Sequence, residues 1–386
     1  MCIRDRIRRA ISLKPDYAIA HNNLGNILRA KNKLKEAESC YCEAIALNPD
    51  FTKAYYNLST LTSTDENKIW QKKLFSESFL KNKSKNDQFN IFFARANILH
   101  KKKNYKESAK CLKLANQIKL LIHPSNSDSL IKKSKLLLIE SNKANLNLTK
   151  QKNNPQSIFI VGMPRSGTTL VESIISMNSE VLDLGEINAF ERSFKEWKEK
   201  KGKVALVDLY MQRINKALKS HITTNKWLYN YQYAGIIASQ IPNSKIIHCY
   251  RNPLDNILSI YRTNFAKDNE YSSSLIDCAI IYLDHKKIMK EYKKRFPENI
   301  YDLNYDLLVK NPDKEIKSLI NWLGWKWKKA YLKPHLSNRS VFTASDVQIR
   351  SKINSKSIGG WKNYKEMLKP AMEIITKIDK YKDLKY

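Results

Sequence analysis

The rhythm of apolar and polar positions along this chain changes once, near residue 157. Before that point apolar residues recur at helical spacing, and the pattern repeats. "AISLKPDYAIAHNNLG" and "AIALNPDFTKAYYNLS" align with Pro15 and Pro49 separated by 34 residues, while Ala10/Ala44, Ala20/Ala54 and Leu24/Leu58 keep register. This period, with small residues where helices must nest, predicts paired antiparallel helices stacked as repeats. A weaker unit comes next at "FFARANILHKKKNYKESAKCLKLANQI", with Tyr105, Ser108 and Ala115 in place of Leu34, Ala37 and Ala44. So few repeats make a marginal free solenoid, and this region is expected to dock on the carboxyl-terminal part of the chain.

After residue 157 the apolar runs shorten to strand length. "SIFIVG" and "KIIHCY" predict buried strands, "TTLVESIISM" predicts a helix, and "PLDNILSIYRTNF" opens another helix with Pro253 in its first turn. "NIYDLNYDLLV" reads as a strand running into a helix. The alternation predicts an α/β domain with a largely parallel sheet, whose ligand lies at the carboxyl ends of the strands. Between the two patterns, "SNKANLNLTKQKNNPQ" has few large apolar anchors and suits a connector. The expected organisation is all-α helical repeats over residues 1–140, a linker over 141–156 and a P-loop-like parallel-sheet domain over 157–386.

Composition agrees with two packed regions: the chain has 386 residues, 42% of them apolar. Lys and Arg number 69 against 37 Asp and Glu, a net charge of +32. Such an excess attracts polyanions in general, but no nucleic-acid reader motif interleaves the lysines, so no specific nucleic-acid partner is expected. The six cysteines are scattered without zinc spacing and fit a reducing compartment. No apolar run reaches the roughly 18 residues of a membrane span, and "MCIRDRIRRA" lacks the apolar core of a secretory signal, so a cytoplasmic protein is expected. The chain opens inside a repeat, so its amino terminus is expected to be truncated or foreign.

The stretch carrying the most chemistry is "IFIVGMPRSGTTLVESII". A glycine-rich turn between strand and helix offers successive backbone N–H groups to a phosphate-like dianion. Gly162 and Gly167 permit close approach, and Arg165, Ser166, Thr168 and Thr169 add donors. Thr168 stands where a triphosphate-hydrolysing loop has its lysine, which disfavours ordinary γ-phosphoryl transfer. Arg251 at the end of a strand and Ser259 about two turns into the next helix could grip a second phosphate.

The repeats resemble tetratricopeptide repeats. "GMPRSGTTLVESII", succeeded in order by "LDLGEINAF", "NKWLYN", "IPNSKIIHCYRNPLDNILSIYRTNF", "NYDLLVKNP" and "VFTASDVQIRSKINSKSIGGW", resembles the sulfotransferases, in particular the branch near protein-tyrosine sulfotransferases and bacterial tetratricopeptide-containing sulfotransferases. The resemblance implies that 3′-phosphoadenosine 5′-phosphosulfate is the donor, its 5′-phosphosulfate wrapped by Arg165, Ser166, Gly167, Thr168 and Thr169 and its 3′-phosphate held by Arg251 and Ser259. It implies Glu186 as the base toward the acceptor, Lys226 beside the leaving oxygen and Ser345 assisting there. It assigns Gln348 and Arg350 to donor phosphate or adenine, and it requires no metal.

His248, although an imidazole is well poised near neutral pH, lies in a buried strand and reads as a packed, hydrogen-bonded residue. Asn225, Leu228, Lys352 and Gly360 depart from the family's usual aspartate, proline, proline and arginine. The acceptor is a hydroxyl or amine of a protein, sugar or small molecule, and the repeats could recruit a protein partner. Two other functions compete: a P-loop-type kinase, and a non-catalytic helical-repeat adaptor with a vestigial nucleotide site.

Overall fold

The computed structural model describes residues 3–61, 69–143, 155–214, 222–265, 268–337, 339, 341, 343 and 347–385. Among the described residues eight α-helices come first: α1 (Ile3–Leu13), α2 (Ala18–Ala30), α3 (Leu34–Leu47), α4 (Thr52–Thr60), α5 (Ile69–Phe75), α6 (Lys85–Lys101), α7 (Tyr105–Ile122) and α8 (Ser127–Lys143). Helices α2/α3 and α6/α7 are the packed pairs the repeat predicts, with α4 against α6. Ala37, Ala44 and Ala54 are fully buried among Tyr41, Tyr55 and Leu58, so the small residues of the repeat stand where helices press together. Gly25 belongs to the same packing: a Cβ there would lie 2.6 Å from Cε1 of Tyr41.

Among the described residues the second region holds five strands: β1 (Gln156–Gly162), β2 (Val181–Asp183), β3 (Ile222–Asn225), β4 (Ser244–Tyr250) and β5 (Ile300–Asn304). They form one sheet in the order β2-β3-β1-β4-β5, and every pairing is parallel. Parallel strands are covered on both faces, and β1 shows it. Phe159 and Val161 point into one core with α10 (Ala189–Glu199), α11 (Leu206–Ile214) and α12 (Ala234–Gln240). Ile158 and Ile160 point into the opposite core. That core is closed by α9 (Thr168–Ile175) and, beyond the strands, by α15 (Tyr305–Lys310) and α16 (Pro312–Trp322). Between them in sequence lie α13 (Pro253–Tyr261) and the long α14 (Leu275–Arg295), and α17 (Lys365–Ile375) comes after α16.

The docking expected of the repeats takes the form of a shared core. Phe93, Leu112 and Ala115 of α6 and α7 pack in one cluster with Ile257, Tyr282, Trp361 and Leu368. Asn116 of α7 donates to the Tyr261 carbonyl at 2.9 Å, and Lys119 donates to Asn264 Oδ1 at 3.0 Å. Helix α8 runs to Lys143, three residues into the expected linker, and packs on α12 and α14. Residues 144–154 of that linker lie outside the described residues.

Gly25→Ala is expected to destabilise the fold by about 1–3 kcal/mol, because the new methyl meets the Tyr41 ring in a closed core. Urea unfolding measures it, and an unchanged midpoint would show that Tyr41 can move aside.

Candidate functional site

Five chain crossings leave the sheet on one edge, and the candidate residues sit on them. Strand β1 ends at Gly162 and leads to Arg165–Thr169, β2 leads to Glu186, β3 to Lys226, β4 to Arg251 and β5 to Tyr305 and Asp306. The strand order reverses between the β3 and β4 sides of β1, which opens a crevice at these carboxyl ends.

The loop after β1 has two positions that glycine alone fits. Gly162 has φ +153°, and a Cβ there would lie 2.4 Å from the Cys249 carbonyl oxygen; Gly167 has φ +99°, and a Cβ would lie 2.3 Å from the Tyr305 ring. The backbone thus closes against β4 and Tyr305, and the N–H groups of the first turn of α9 face the crevice mouth, as an anion site needs. Asn256 pins the loop by donating to the Pro164 carbonyl at 2.9 Å. Ser166 is buried, and its Oγ has no hydrogen-bond partner among the described residues. Thr169 lies 3.3 Å, hydroxyl to hydroxyl, from Thr343. Arg165 adopts φ 66° and reaches across the mouth, donating to Ser259 Oγ at 3.1 Å and to Gln348 Oε1 at 2.8 Å. Desolvation in the cleft, and then the nearby guanidinium groups of Arg251 and Arg262, lower its pKa to about 10, so it stays a cation at neutral pH.

Arg251 is buried and held by several groups. It donates to the Ser357 carbonyl at 2.8 Å, lies over the Tyr305 ring at 4.8 Å, and faces Asp255 and Asp306 at 3.9 and 3.8 Å. Its Nε has no hydrogen-bond partner among the described residues, although two carboxylates stand near. Asp255, one turn on, accepts the backbone N–H of Gly359 at 2.7 Å and of Trp361 at 3.0 Å. A carboxylate on α13 therefore clasps the carboxyl-terminal segment over the end of β4. Burial raises the Asp255 pKa against the pull of those two N–H groups and of Arg251.

On the other side of β1, β2 and β3 run on past their last paired residues. Leu184 N–H donates to the Thr224 carbonyl and Lys226 N–H to the Gly185 carbonyl, each at 2.9 Å. The ladder carries Glu186 and Lys226 side by side, and Lys226 Nζ donates to Glu186 Oε1 at 2.5 Å. Lys226 is fully buried whereas Glu186 is about 38% exposed, so the carboxylate, not the ammonium, reaches the cleft. Asn225 accepts from the Trp227 N–H and from Asn230, and so shapes the turn after Lys226.

These elements border a cavity of about 760 Å³. Arg165, Thr169, Glu186, Ser259 and Gln348 line one side; Asn57, Asn97 and His100 of the helical region line the other. Gln348 thus joins Arg165 and Ser259. Arg350 turns elsewhere, donating to the carbonyls of Ser337 at 2.9 Å, Arg339 at 2.6 Å and Ala30 at 3.1 Å, the last at the end of α2. Ser345 lies outside the described residues. His248 Nδ1 donates to the Asp302 carboxylate, 2.6 Å away on β5, and the ring packs against His285, away from the cavity wall. Among the described residues no group of three or more His, Cys, Asp or Glu side chains is placed to hold a metal ion.

Several site residues escape sequence reasoning. Tyr305 comes directly after β5 and closes on Gly167 and Arg251; Asp255 holds the carboxyl-terminal clasp; Arg262 lines the cavity. Glu172, buried on α9, pairs with Arg339 at 2.7 Å, and Arg339 also bonds Asp183 at the end of β2. Burial raises the Glu172 carboxyl pKa while Lys226 and Arg339 oppose that rise. The "PLDN" turn signals a helix start but not the clasp, and Arg339 carries no signal because its partners are distant in sequence.

Comparison with known proteins finds matches for two separate stretches of the chain. Residues 155–329 match the model described as "Sulfotransferase family", and residues 18–51 match that of the tetratricopeptide repeat. A protein of Aquifex aeolicus is 27% identical over 415 aligned positions, covering 98% of this chain and 54% of that protein. The chain thus spans about half the length of that relative. A Caenorhabditis briggsae protein provisionally named a protein-tyrosine sulfotransferase is 24% identical, over 54% of this chain and 81% of its own length. The sulfotransferase domain of the Synechococcus PCC 7002 olefin synthase superposes with a TM-score of 0.43 at 18% identity, covering 57% of this chain and 94% of that domain. The chain carries a sulfotransferase-family domain preceded by a tetratricopeptide-like helical region.

The buried histidines behind the site have a consequence for stability. Burial pushes the pKa of His248 down against the hydrogen bond with Asp302, and burial, then His248 and Lys286, pushes His285 far down. The unfolded chain takes up these protons near pH 6.5, whereas the native state does not. Stability is therefore full above that pH and falls as pH drops below it, by up to about 1.4 kcal/mol per pH unit for a histidine that stays neutral in the fold. Denaturation midpoints between pH 7 and 5 should fall less steeply for His285→Phe than for the parent; equal slopes would show that His285 protonates within the fold.

Proposed function

We propose that the sulfotransferase-family domain transfers a sulfuryl group from 3′-phosphoadenosine 5′-phosphosulfate to an acceptor hydroxyl, with Glu186 as base. The observation that carries this is the placement of an anion-binding loop, a second buried arginine and a carboxylate–ammonium pair on adjacent strand ends. The glycine cradle and the unpartnered Ser166 Oγ fit a phosphosulfate, and Arg251 with Ser259 fits the 3′-phosphate. Release of Arg165 from Ser259 and Gln348 would give both phosphate groups a guanidinium at the mouth.

In the transfer, the acceptor oxygen forms a bond to sulfur as the bridging S–O bond breaks. The acceptor proton goes to the outward oxygen of Glu186, and negative charge grows on the departing phosphate oxygen. Lys226, buried beside Glu186, supplies a positive charge that gains value as that charge develops. We place the domain near the protein-tyrosine branch, supported by the glutamate in the base position and by the name of the Caenorhabditis relative. The scattered cysteines support a cytoplasmic setting, and the helical region could also hold a protein partner. Among the described residues no helix is long and apolar enough to cross a membrane.

Calorimetric titration tests this with 3′-phosphoadenosine 5′-phosphate beside ATP with magnesium. The bisphosphate should bind selectively, and Arg251→Ala should weaken it by about tenfold or more, as loss of a charge-assisted contact does. Glu186→Gln should keep the bisphosphate affinity and lose about 10²- to 10⁴-fold in turnover, the range of a general base. Tighter ATP binding would favour a kinase, and no binding of either nucleotide would favour an adaptor.

A further inference from the structure

The cavity wall opposite Glu186 belongs to the helical region, and two hydrogen-bond chains fix its polarity. Ser108 Oγ lies 2.9 Å from the Ala96 carbonyl, which can only accept, so the serine donates there. Tyr364 lies 2.9 Å from Ser108 Oγ and must therefore donate to it. His100 Nδ1, 2.8 Å from the Tyr364 hydroxyl, is then the donor to Tyr364. That sets the tautomer: Nε2 carries the lone pair. Ser59 Oγ likewise donates to the Tyr56 carbonyl at 2.7 Å, so Asn97 must donate its Nδ2 to Ser59 at 3.0 Å, leaving Asn97 Oδ1 as the outward end.

Asn97 and His100 stand three residues apart on α6, on one helix face, and both line the cavity. Each has one polar end consumed by the fold and an acceptor end left over. On α4, Asn57 repeats the arrangement, its Nδ2 given to Asn22 at 2.8 Å. Burial, and then Arg262 and Lys101, drive the His100 pKa down to about 3, so the ring remains a neutral acceptor. Arg29 and Lys101 line the same wall but give donors to the Thr60 hydroxyl and to the Ser59 and Leu61 carbonyls. The acceptor ends of Asn57, Asn97 and His100 therefore call for a ligand with donors, and the cations repel an ammonium. Hydroxyl groups satisfy both conditions. A peptide would bring as many carbonyls as N–H groups to these three acceptor ends.

We propose that this wall is the acceptor subsite, and that the acceptor is a neutral, polyhydroxylated molecule of sugar type whose hydroxyls donate to Asn97 Oδ1 and His100 Nε2. The inference rests on the sulfotransferase reading of the opposite wall. It assigns to the helical region the selection of substrate, and to the sheet domain the donor and the chemistry.

The test is calorimetry on the full chain saturated with 3′-phosphoadenosine 5′-phosphate, titrated with cellotetraose, maltotetraose and chitotetraose, and separately with an acidic tyrosine-containing peptide. At least one saccharide should bind. Asn97→Leu and His100→Phe should each weaken it by about tenfold, the loss expected when a substrate hydroxyl meets no acceptor, with bisphosphate affinity unchanged. His100→Gln can donate to Tyr364 through its amide nitrogen and present its oxygen outward, so it should recover most of the affinity; this separates lost recognition from damage to the fold. Absence of saccharide binding, saccharide binding indifferent to both variants, or binding of the peptide at this wall would overturn the proposal. Failure of the parent chain to bind the bisphosphate would instead remove the donor reading, and the acceptor assignment with it.

Discussion

Parallel pairing around β1 is the constraint on which the rest depends. Because every strand runs the same way, every strand ends on the same edge, and each end delivers its next residues to one crevice. The sheet thereby gathers Arg165, Glu186, Lys226, Arg251 and Tyr305, which span about 140 positions of sequence, without any of them being neighbours in the chain. Burial of β1 on both faces fixes the sheet. Its two apolar sets, Phe159 with Val161 and Ile158 with Ile160, leave no face free to slip.

The electrostatics of the crevice arise from this placement. Arg165 and Arg251 come from adjacent strand ends, and burial together with the Arg251 guanidinium makes the charge on Arg165 costlier to carry, a tension that a bound anion relieves. Lys226 avoids isolation because the β2–β3 ladder continues two residues past its regular part and brings Glu186 within hydrogen-bonding distance. A fully buried ammonium without such a partner would be expensive.

The sequence makes some of this visible and hides the rest for identifiable reasons. Strands β1, β4 and β5 show as short apolar runs, and the glycine spacing after β1 announces a cradle. Strands β2 and β3 do not show, since "VLD" and "ITTN" are too short and too polar to stand out from loop, although Thr223, Thr224 and Asn225 are buried. The repeat predicts helix pairs but not the shared core, because periodicity says which residues are buried and not what buries them. The contact of Arg339 with Glu172, and the chain from His100 through Tyr364 to Ser108, join residues more than 160 positions apart, which no local pattern records.

The clasp on Asp255 bears on how this chain can change over evolutionary time. Its carboxylate grips the N–H groups of Gly359 and Trp361, and a backbone N–H is the same for almost every amino acid. The fastening is consequently blind to side-chain identity at Gly360, which lies between the two. Mutational drift at that residue leaves the anchoring of the segment intact, so its side chain is at liberty to be lost, or to acquire another task, while the loop stays in place.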